Sequence, residues 1–216
     1  MAEVQHPRFA RVWSRLMRHE PPAVRRARAE LAAGLHGRVL EIGCGTGSMF
    51  EHYPDAVTEV VALEPEPLLC AEARATAAAR PVVGGPTIVV RPEPIEDVPA
   101  EELGTFDAVV CSLVLCSVPD PVGALRTARG LLRPGGELRY YEHVATDGAL
   151  GGFQRALDAT VWPRAFGGCH THRHTARAID EAGFVRVQHR DVRAVPRWVP
   201  LPISPIIMGA ARSDAA

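Results

Sequence analysis

The chain has 216 residues, of which 47% are hydrophobic and 23% charged, and its formal net charge is −1. This balance is typical of a globular protein and excludes a disordered or collagen-like chain. All 24 basic residues are arginine, which excludes mechanisms that need a lysine Schiff base or a P-loop lysine. The near-zero charge gives no support for a nucleic acid or an anionic membrane as partner.

The cysteines and the first 20 residues bear on the cellular compartment. The five cysteines form no C-x-x-C pair, so neither a disulfide framework nor a zinc ribbon is indicated. The first 20 residues carry arginine throughout and have no apolar centre, so we expect no signal peptide. No stretch approaches the roughly 18 apolar residues of a membrane-spanning helix. We therefore expect a cytoplasmic protein without stable membrane insertion.

Two helices are predicted at the amino-terminal end. Residues 8–18 place Phe9, Val12, Trp13 and Leu16 on one helical face. Residues 23–35 predict a second helix that stops near Gly34. Its arginines, 25, 26 and 28, are interpreted as a solvated face rather than as a phosphate-binding patch. We expect residues 1–36 to form a helical cap or lid, and residues 37–216 to form the main part of a single structural domain.

From Gly37 onwards, short apolar runs alternate with helix-like stretches. Strands are predicted at 38–42, 58–64, 87–91, 106–113 and 136–143, and two more at 184–190 and 204–211. Helices are predicted at 67–80, 121–132, 150–165 and 174–182. This alternation predicts an α/β fold, a parallel sheet with helices on both faces.

A glycine-rich turn follows the first strand. Gly43, Gly45 and Gly47 permit a left-handed backbone and a close approach of ligand to main chain. A helix is predicted to begin near Ser48. The third glycine comes one residue early for the G-x-G-x-x-G dinucleotide motif, which disfavours a nicotinamide-dependent oxidoreductase. Glu64, at the end of the second strand, is suited to accept both hydroxyls of a ribose.

These residues resemble the class I S-adenosylmethionine (SAM)-dependent methyltransferases. The resemblance rests on residues 39–47 (VLEIGCGTG) with Glu64, and on segments 95–97, 106–110 and 131–136 in the same order. It implies a Rossmann-like seven-stranded sheet of order 3-2-1-4-5-7-6, with strand 7 antiparallel. It also implies SAM as cofactor, S-adenosylhomocysteine as product, no metal, and a cofactor site at Glu41, Gly43, Cys44, Gly45, Gly47, Glu64, Pro65, Ile95, Glu96, Cys111 and Leu113.

A narrower resemblance concerns the methyl acceptor. Segments 43–54, 111–121, 132–144 and 167–184 look like small bacterial methyltransferases and the mammalian alkyl-thiol S-methyltransferases. The resemblance implies a small, fairly apolar acceptor and favours a thiol. N- or O-methylation of a lipid headgroup, quinone or other small metabolite stays open, as does a catalytically silent SAM-binding interaction module.

Two histidines are candidate bases for an acceptor proton. His143 ends the fifth strand and titrates near neutrality, and His170 lies on the loop before the last helix. A metal site at 169–174 is disfavoured, because no carboxylate or second cysteine is nearby in the sequence and Thr171 is expected to cap a helix. Cys111 and Cys116 are interpreted as pocket-wall or core residues. The first helix and the 149–166 helix are expected to form an apolar lid.

Overall fold

A computed structural model describes residues 6–80, 84–193, 199 and 201–213. Seven strands form one sheet in the order β3-β2-β1-β4-β5-β7-β6. Their bounds are β1 Gly37–Ile42, β2 Val57–Leu63, β3 Thr87–Arg91, β4 Phe106–Ser112, β5 Leu132–His143, β6 Phe184–Arg193 and β7 Pro205–Ser213. β7 runs antiparallel to both of its neighbours, and the other neighbouring strands pair in parallel. The predicted fold class and strand order are therefore confirmed.

Eight α-helices are described in the ranges given above. They are α1 Pro7–Met17, α2 Pro22–Ala32, α3 Pro67–Ala78, α4 Ala100–Leu103, α5 Pro121–Gly130, α6 Gly148–Asp158, α7 Trp162–Ala165 and α8 Thr175–Glu181. Successive residues of a strand point to opposite faces of a sheet. Leu40 and Ile42 of β1 accordingly join a core with α5 and α8, whereas Val39 joins a core with α2. Helices thus cover both faces, as expected.

The helix expected to begin near Ser48 is absent from this described segment. A short 3-10 helix, Phe50–His52, takes its place. Tyr53, which precedes Pro54, is extended, with φ −66° and ψ 125°. A residue before proline is disfavoured in the α region, so too few residues remain after the glycine loop for an α-helix.

The long helix predicted at 150–165 is divided into α6 and α7. Pro163 lies in the first turn of α7, where a proline is tolerated, whereas inside a continuous helix its ring would clash with the carbonyl four residues earlier. The prediction that Thr171 caps the next helix is also wrong, because α8 begins at Thr175 and His174 precedes it. Thr171 is instead fully buried, and its hydroxyl donates to Asp158 at 2.9 Å.

The amino-terminal helices have the expected positions but not all of the expected surfaces. Val12 and Leu16 are 62% and 54% exposed, so only part of the apolar face of α1 is covered. On α2, Arg25 is solvated as expected, but Arg28 is 5% exposed and pairs with Glu20 at 2.6 Å. No helix of the described ranges is both long and apolar enough to cross a membrane.

Gln154 joins α6 to the segments that flank it. Its side chain is fully buried and donates to the carbonyls of Val144 at 3.0 Å and Pro202 at 2.7 Å. Its carbonyl oxygen accepts from the Thr146 backbone at 2.9 Å. One amide therefore satisfies three backbone groups that have little access to water.

We expect Gln154→Ala to lower the free energy of unfolding by about 3 kcal/mol, because it leaves buried backbone groups without partners. Chemical denaturation measures this change. The control is Arg177→Ala, which removes an exposed (i, i+4) ion pair and should cost less than about 0.5 kcal/mol. Equal unfolding midpoints for the two variants would contradict the role assigned to Gln154.

Candidate active site

Glu64 holds the glycine loop against the end of β2. One carboxylate oxygen accepts from the backbone N–H of Gly45 at 2.8 Å, and the other accepts from that of Glu66 at 3.0 Å. Burial raises the pKa of Glu64 to about 6, although these two hydrogen bonds act in the opposite direction. The loop and the acid predicted together from the sequence therefore lie together in the structure.

The first two glycines of the loop differ in their surroundings. Both have a left-handed backbone, with φ +66° at Gly43 and +57° at Gly45. A Cβ at Gly43 would lie 2.1 Å from Val114 Cγ2, inside the protein's own packing. A Cβ at Gly45 would have Trp13 Nε1 as its nearest neighbour, at 3.5 Å. Gly43 is thus required by the fold, whereas a Cβ at Gly45 would meet Trp13 of α1 at an ordinary contact distance.

The other predicted cofactor residues lie along the same edge of the sheet with unequal exposure. Ile95, Cys44 and Cys111 are buried, Pro65 and Leu113 are half-buried, and Glu96 is exposed. Glu41 is buried and accepts from the Tyr53 hydroxyl at 2.8 Å. Its burial raises its pKa to about 7. Glu41 therefore has a structural partner already, which the sequence did not indicate.

A buried carboxylate shapes the loop that follows β4. Glu142, near the end of β5, is fully buried and accepts from the backbone N–H groups of Val114 at 3.0 Å and Leu115 at 3.2 Å. Burial raises its pKa to about 7 against the effect of these bonds. Leu113, just before Val114, has φ +59°, a backbone conformation that residues other than glycine rarely adopt. Sequence reasoning missed this organising role of Glu142.

His143 meets two cysteines at the carboxyl ends of β4 and β5. Its Nε2 lies 3.3 Å from Cys169 Sγ. The two sulfur atoms of Cys116 and Cys169 and a ring nitrogen of His143 all lie within 4.8 Å of one another. The three residues are 3%, 5% and 9% exposed for Cys116, His143 and Cys169. No second cysteine is near Cys169 in the sequence, but the fold brings Cys116 beside it from a distant segment.

His170, the second candidate base, has a different environment. Its Nδ1 accepts from the Arg173 guanidinium at 3.2 Å, and its backbone N–H donates to the carbonyl of Cys116 at 2.9 Å. Because arginine is always a donor, a neutral His170 must carry its proton on Nε2. The backbone hydrogen bond therefore fixes His170 beside Cys116. The Arg173 contact makes His170 poorly suited to accept a proton through Nδ1.

Aromatic side chains surround this end of the site. The rings of Trp162 and Phe166 stack 4.0 Å apart, and Trp162 Nε1 donates to Cys169 Sγ at 3.5 Å. On α1, Phe9 stacks on Trp13 at 5.8 Å. Phe9 also packs against Gly167, where an added Cβ would lie 2.6 Å from the ring. The first helix thus lies close to both the glycine loop and the segment after α7.

A cavity of about 350 Å³ lies beside the glycine loop, between α1 and α3. Ser14, Thr46, Ser48 and Thr76 are among its lining residues, and of the predicted cofactor residues it includes only Gly47. Neither Glu64 nor His143 is among its lining residues.

Comparisons with known proteins show which proteins the chain is similar to. Residues 40–140 match a family described as a methyltransferase domain. The human thiol S-methyltransferase TMT1B is 36% identical over 182 residues, covering 82% of this chain and 72% of that protein. The ubiquinone biosynthesis O-methyltransferase of Xanthomonas axonopodis pv. citri (strain 306) is 38% identical over 101 residues, covering 47% and 41%.

A solved structure shares the fold at low sequence identity. The N-methyltransferase NodS from Bradyrhizobium japonicum WM9, in complex with S-adenosyl-L-homocysteine, superposes with a TM-score of 0.64 and 16% identity, covering 89% of this chain and 86% of that chain. The extended similarity to TMT1B places the present chain in a known family. The chain belongs to the family of SAM-dependent methyltransferases, and its cofactor is SAM.

Proposed function

We propose that this enzyme transfers the methyl group of SAM to the sulfur of a small, apolar thiol. The observation that carries the proposal is the length of the similarity to the thiol S-methyltransferase: at 182 residues it extends beyond the methyltransferase region 40–140. The similarity to the ubiquinone enzyme spans only 101 residues. All five cysteines are free, which supports our further proposal of a cytoplasmic enzyme.

The chemistry needs positioning more than it needs activation of the donor. A thiolate attacks the methyl carbon in line with the departing sulfur, so the enzyme must hold donor and acceptor close and aligned. The opposite charges of thiolate and sulfonium neutralise each other in the transition state, which a water-poor pocket favours. The stacked Trp162 and Phe166 support such a pocket, because Trp162 contacts Cys169, which itself contacts the buried His143.

The acceptor thiol must also lose its proton. A free thiol with a pKa near 8.5 is only a few per cent thiolate at pH 7. We propose His143 as the residue that promotes this loss, since it is buried at the acceptor end. His170 is the less suitable of the two predicted histidines, because Arg173 already occupies its Nδ1.

The cofactor residues predicted from the sequence are proposed as the SAM site. Glu64 would accept the ribose hydroxyls, and the loop at Gly43, Gly45 and Gly47 would receive the methionine part. We further propose residues 1–36 as a cap over this site, joined to a methyltransferase domain at 37–216. The position of Trp13, whose Nε1 would lie 3.5 Å from a Cβ at Gly45, supports a cap over the loop.

O-methylation of a quinone-like phenol is the second candidate, favoured by the ubiquinone-enzyme similarity. A turnover screen of thiols, phenols and amines that detects S-adenosylhomocysteine tests both. The thiol proposal predicts turnover of thiols alone at high efficiency. Turnover of phenols in preference would select the second candidate, and tight SAM binding without any turnover would indicate a silent binding module.

Glu64→Ala should weaken SAM binding by about 1.5–3 kcal/mol, the range for hydrogen bonds to a charged group. Isothermal titration calorimetry measures the affinity. Glu101→Ala removes an exposed carboxylate on α4 and should leave the affinity unchanged. Unchanged affinity in a folded Glu64→Ala variant would contradict the assignment.

The same site predicts a pH dependence. The pKa of Glu64 is raised to about 6, so its carboxylate is charged above that pH and becomes protonated as the pH falls through it. SAM affinity should therefore fall between pH 7 and pH 5, because a protonated carboxyl is a poorer acceptor. Glu64→Gln should lack this component of the pH profile. An identical profile in the two proteins would assign the effect to another group.

The two glycines predict different outcomes. Gly43→Ala should lower the melting temperature strongly, since its Cβ would lie 2.1 Å from Val114 Cγ2. A Cβ at position 45 has room near Trp13, so Gly45→Val should fold. Its free energy of unfolding should fall by about 1–3 kcal/mol, because valine disfavours the left-handed backbone. It should nevertheless lose SAM binding. A Gly45→Val protein that binds SAM normally would show that ligand does not approach this backbone.

His143→Ala should lower kcat/KM for a thiol by about 10²-fold, the usual size of assistance to proton transfer, while SAM affinity stays unchanged. His36→Ala is the matched control, since His36 is exposed before β1, at the opposite edge of the sheet. Steady-state kinetics and calorimetry separate the two effects. A comparable loss in His170→Ala with none in His143→Ala would exchange the roles of the two histidines.

A further inference from the structure

Cys116, His143 and Cys169 form a cluster, the Cys-His-Cys cluster, whose members come from three separate segments. Cys116 follows β4, His143 ends β5, and Cys169 lies between α7 and α8. Their two sulfur atoms and one imidazole nitrogen all lie within 4.8 Å of one another. Each side chain is at least nine-tenths buried. Two thiols and an imidazole are the ligand types that zinc and related soft divalent ions prefer.

The spacing of the cluster is close to that of a tetrahedral site. Zinc lies about 2.3 Å from sulfur and about 2.0 Å from imidazole nitrogen, which places neighbouring ligand atoms about 3.5–3.8 Å apart. Cys169 Sγ and His143 Nε2 are already 3.3 Å apart. Side-chain rotations that move the ligand atoms by about one ångström or less would bring the remaining pairs of atoms to the required distances.

The surroundings of the cluster hold it in place. The backbone N–H of His170 donates to the carbonyl of Cys116 at 2.9 Å, which ties the Cys169 segment to the β4 loop. Asp158, at the end of α6, accepts from the backbone of Thr171 at 2.7 Å. Trp162 Nε1 donates to Cys169 Sγ at 3.5 Å, the kind of outer contact that orients a sulfur ligand. The ligand segments are thus positioned before any ion binds.

The two ring nitrogens of His143 differ in their partners, since Nε2 contacts Cys169 Sγ at 3.3 Å. His143 Nδ1 is buried and has no hydrogen-bond partner among the residues that the structure describes. Buried polar atoms normally have a partner, so an exception needs an explanation. An ion on Nε2 would fix the proton on Nδ1 but would not itself give Nδ1 a partner, so that N–H would be left to donate to a bound substrate or water.

We propose that the Cys-His-Cys cluster binds one zinc-like divalent ion, and that the open fourth position takes the sulfur of the acceptor thiol. The second part rests on the proposed thiol methylation. Three protein ligands with one open position are the arrangement of catalytic rather than structural zinc sites. Harder ions such as magnesium are disfavoured, since the cluster offers no oxygen ligand.

The reaction balances without an oxidant or reductant. Binding of the ion releases the protons of Cys116 and Cys169 to solvent, and binding of the acceptor releases its thiol proton. The metal-bound thiolate sulfur then attacks the methyl carbon of SAM. The bond from that carbon to the sulfonium sulfur breaks, and its electron pair stays on S-adenosylhomocysteine. The neutral thioether product is a weaker ligand than a thiolate and leaves the ion. In this scheme His143 promotes thiolate formation as a ligand.

Cobalt substitution tests the site without reference to activity. The full chain, stripped with a chelator, is titrated with Co²⁺ and followed by its absorption spectrum. We expect one ion per chain, with sulfur-to-cobalt charge-transfer bands and the strong visible bands of a tetrahedral site. Cys116→Ser, Cys169→Ser and His143→Ala should each weaken binding at least about tenfold. Cys70→Ala is the control, since Cys70 is equally buried but lies on α3. Absence of stoichiometric binding, or equal binding by all variants, would overturn the proposal.

The open position is tested with benzyl mercaptan and its alcohol counterpart. Benzyl mercaptan should shift the cobalt bands, whereas benzyl alcohol should not. The stripped enzyme should lose about 10²-fold or more in kcat/KM for benzyl mercaptan, and Zn²⁺ should restore it. Full activity of the stripped enzyme would overturn the metal proposal and leave thiol methylation intact. Stoichiometric cobalt binding with the expected bands and variant effects, in a protein that methylates no thiol, would instead overturn the proposed function and support the ion site.

Discussion

The arrangement of the site depends on one buried carboxylate. Glu142 accepts from the backbone N–H groups of Val114 and Leu115 and so fixes the loop after β4. That loop places Val114 against Gly43 on one side. On the other side it carries Cys116 to His143, the residue after Glu142. A single side chain at the end of β5 therefore couples the cofactor loop to the acceptor end, and the left-handed Leu113 is the strained residue that this coupling requires.

The sheet could be predicted from sequence because its strands carry local signals. The run Val39–Ile42 is buried throughout, which is typical of a central parallel strand covered on both faces. The pairing of the glycine loop with Glu64 was also predictable, since both residues lie at the carboxyl ends of neighbouring strands. The order of the strands came from the family resemblance, because no local pattern determines which strand lies beside which.

The errors have physical causes that act over longer distances. The helix near Ser48 fails because Pro54 holds Tyr53 extended, a local signal that was present in the sequence. Thr171 does not cap a helix, since Asp158, 13 residues earlier, takes its hydroxyl and its backbone N–H. The Cys-His-Cys cluster joins residues 116, 143 and 169. No spacing rule for metal ligands detects three single residues from separate segments, so only the tertiary structure reveals it.

An enzyme for thiols must keep its own cysteines from becoming methyl acceptors. The hydrogen bond with Cys116 and burial both raise the pKa of Cys169, and burial raises the pKa of Cys111, so these groups stay protonated at neutral pH. A neutral thiol is a far weaker nucleophile than a thiolate. In the proposed ion-bound state, Cys116 and Cys169 would be thiolates whose electron pairs are directed at the metal. The substrate sulfur, at the open position, is the one ligand that can turn towards the methyl group and leave once methylated. Burial thus protects Cys111 and Cys169 in the absence of an ion, whereas coordination would protect Cys116 and Cys169 in its presence.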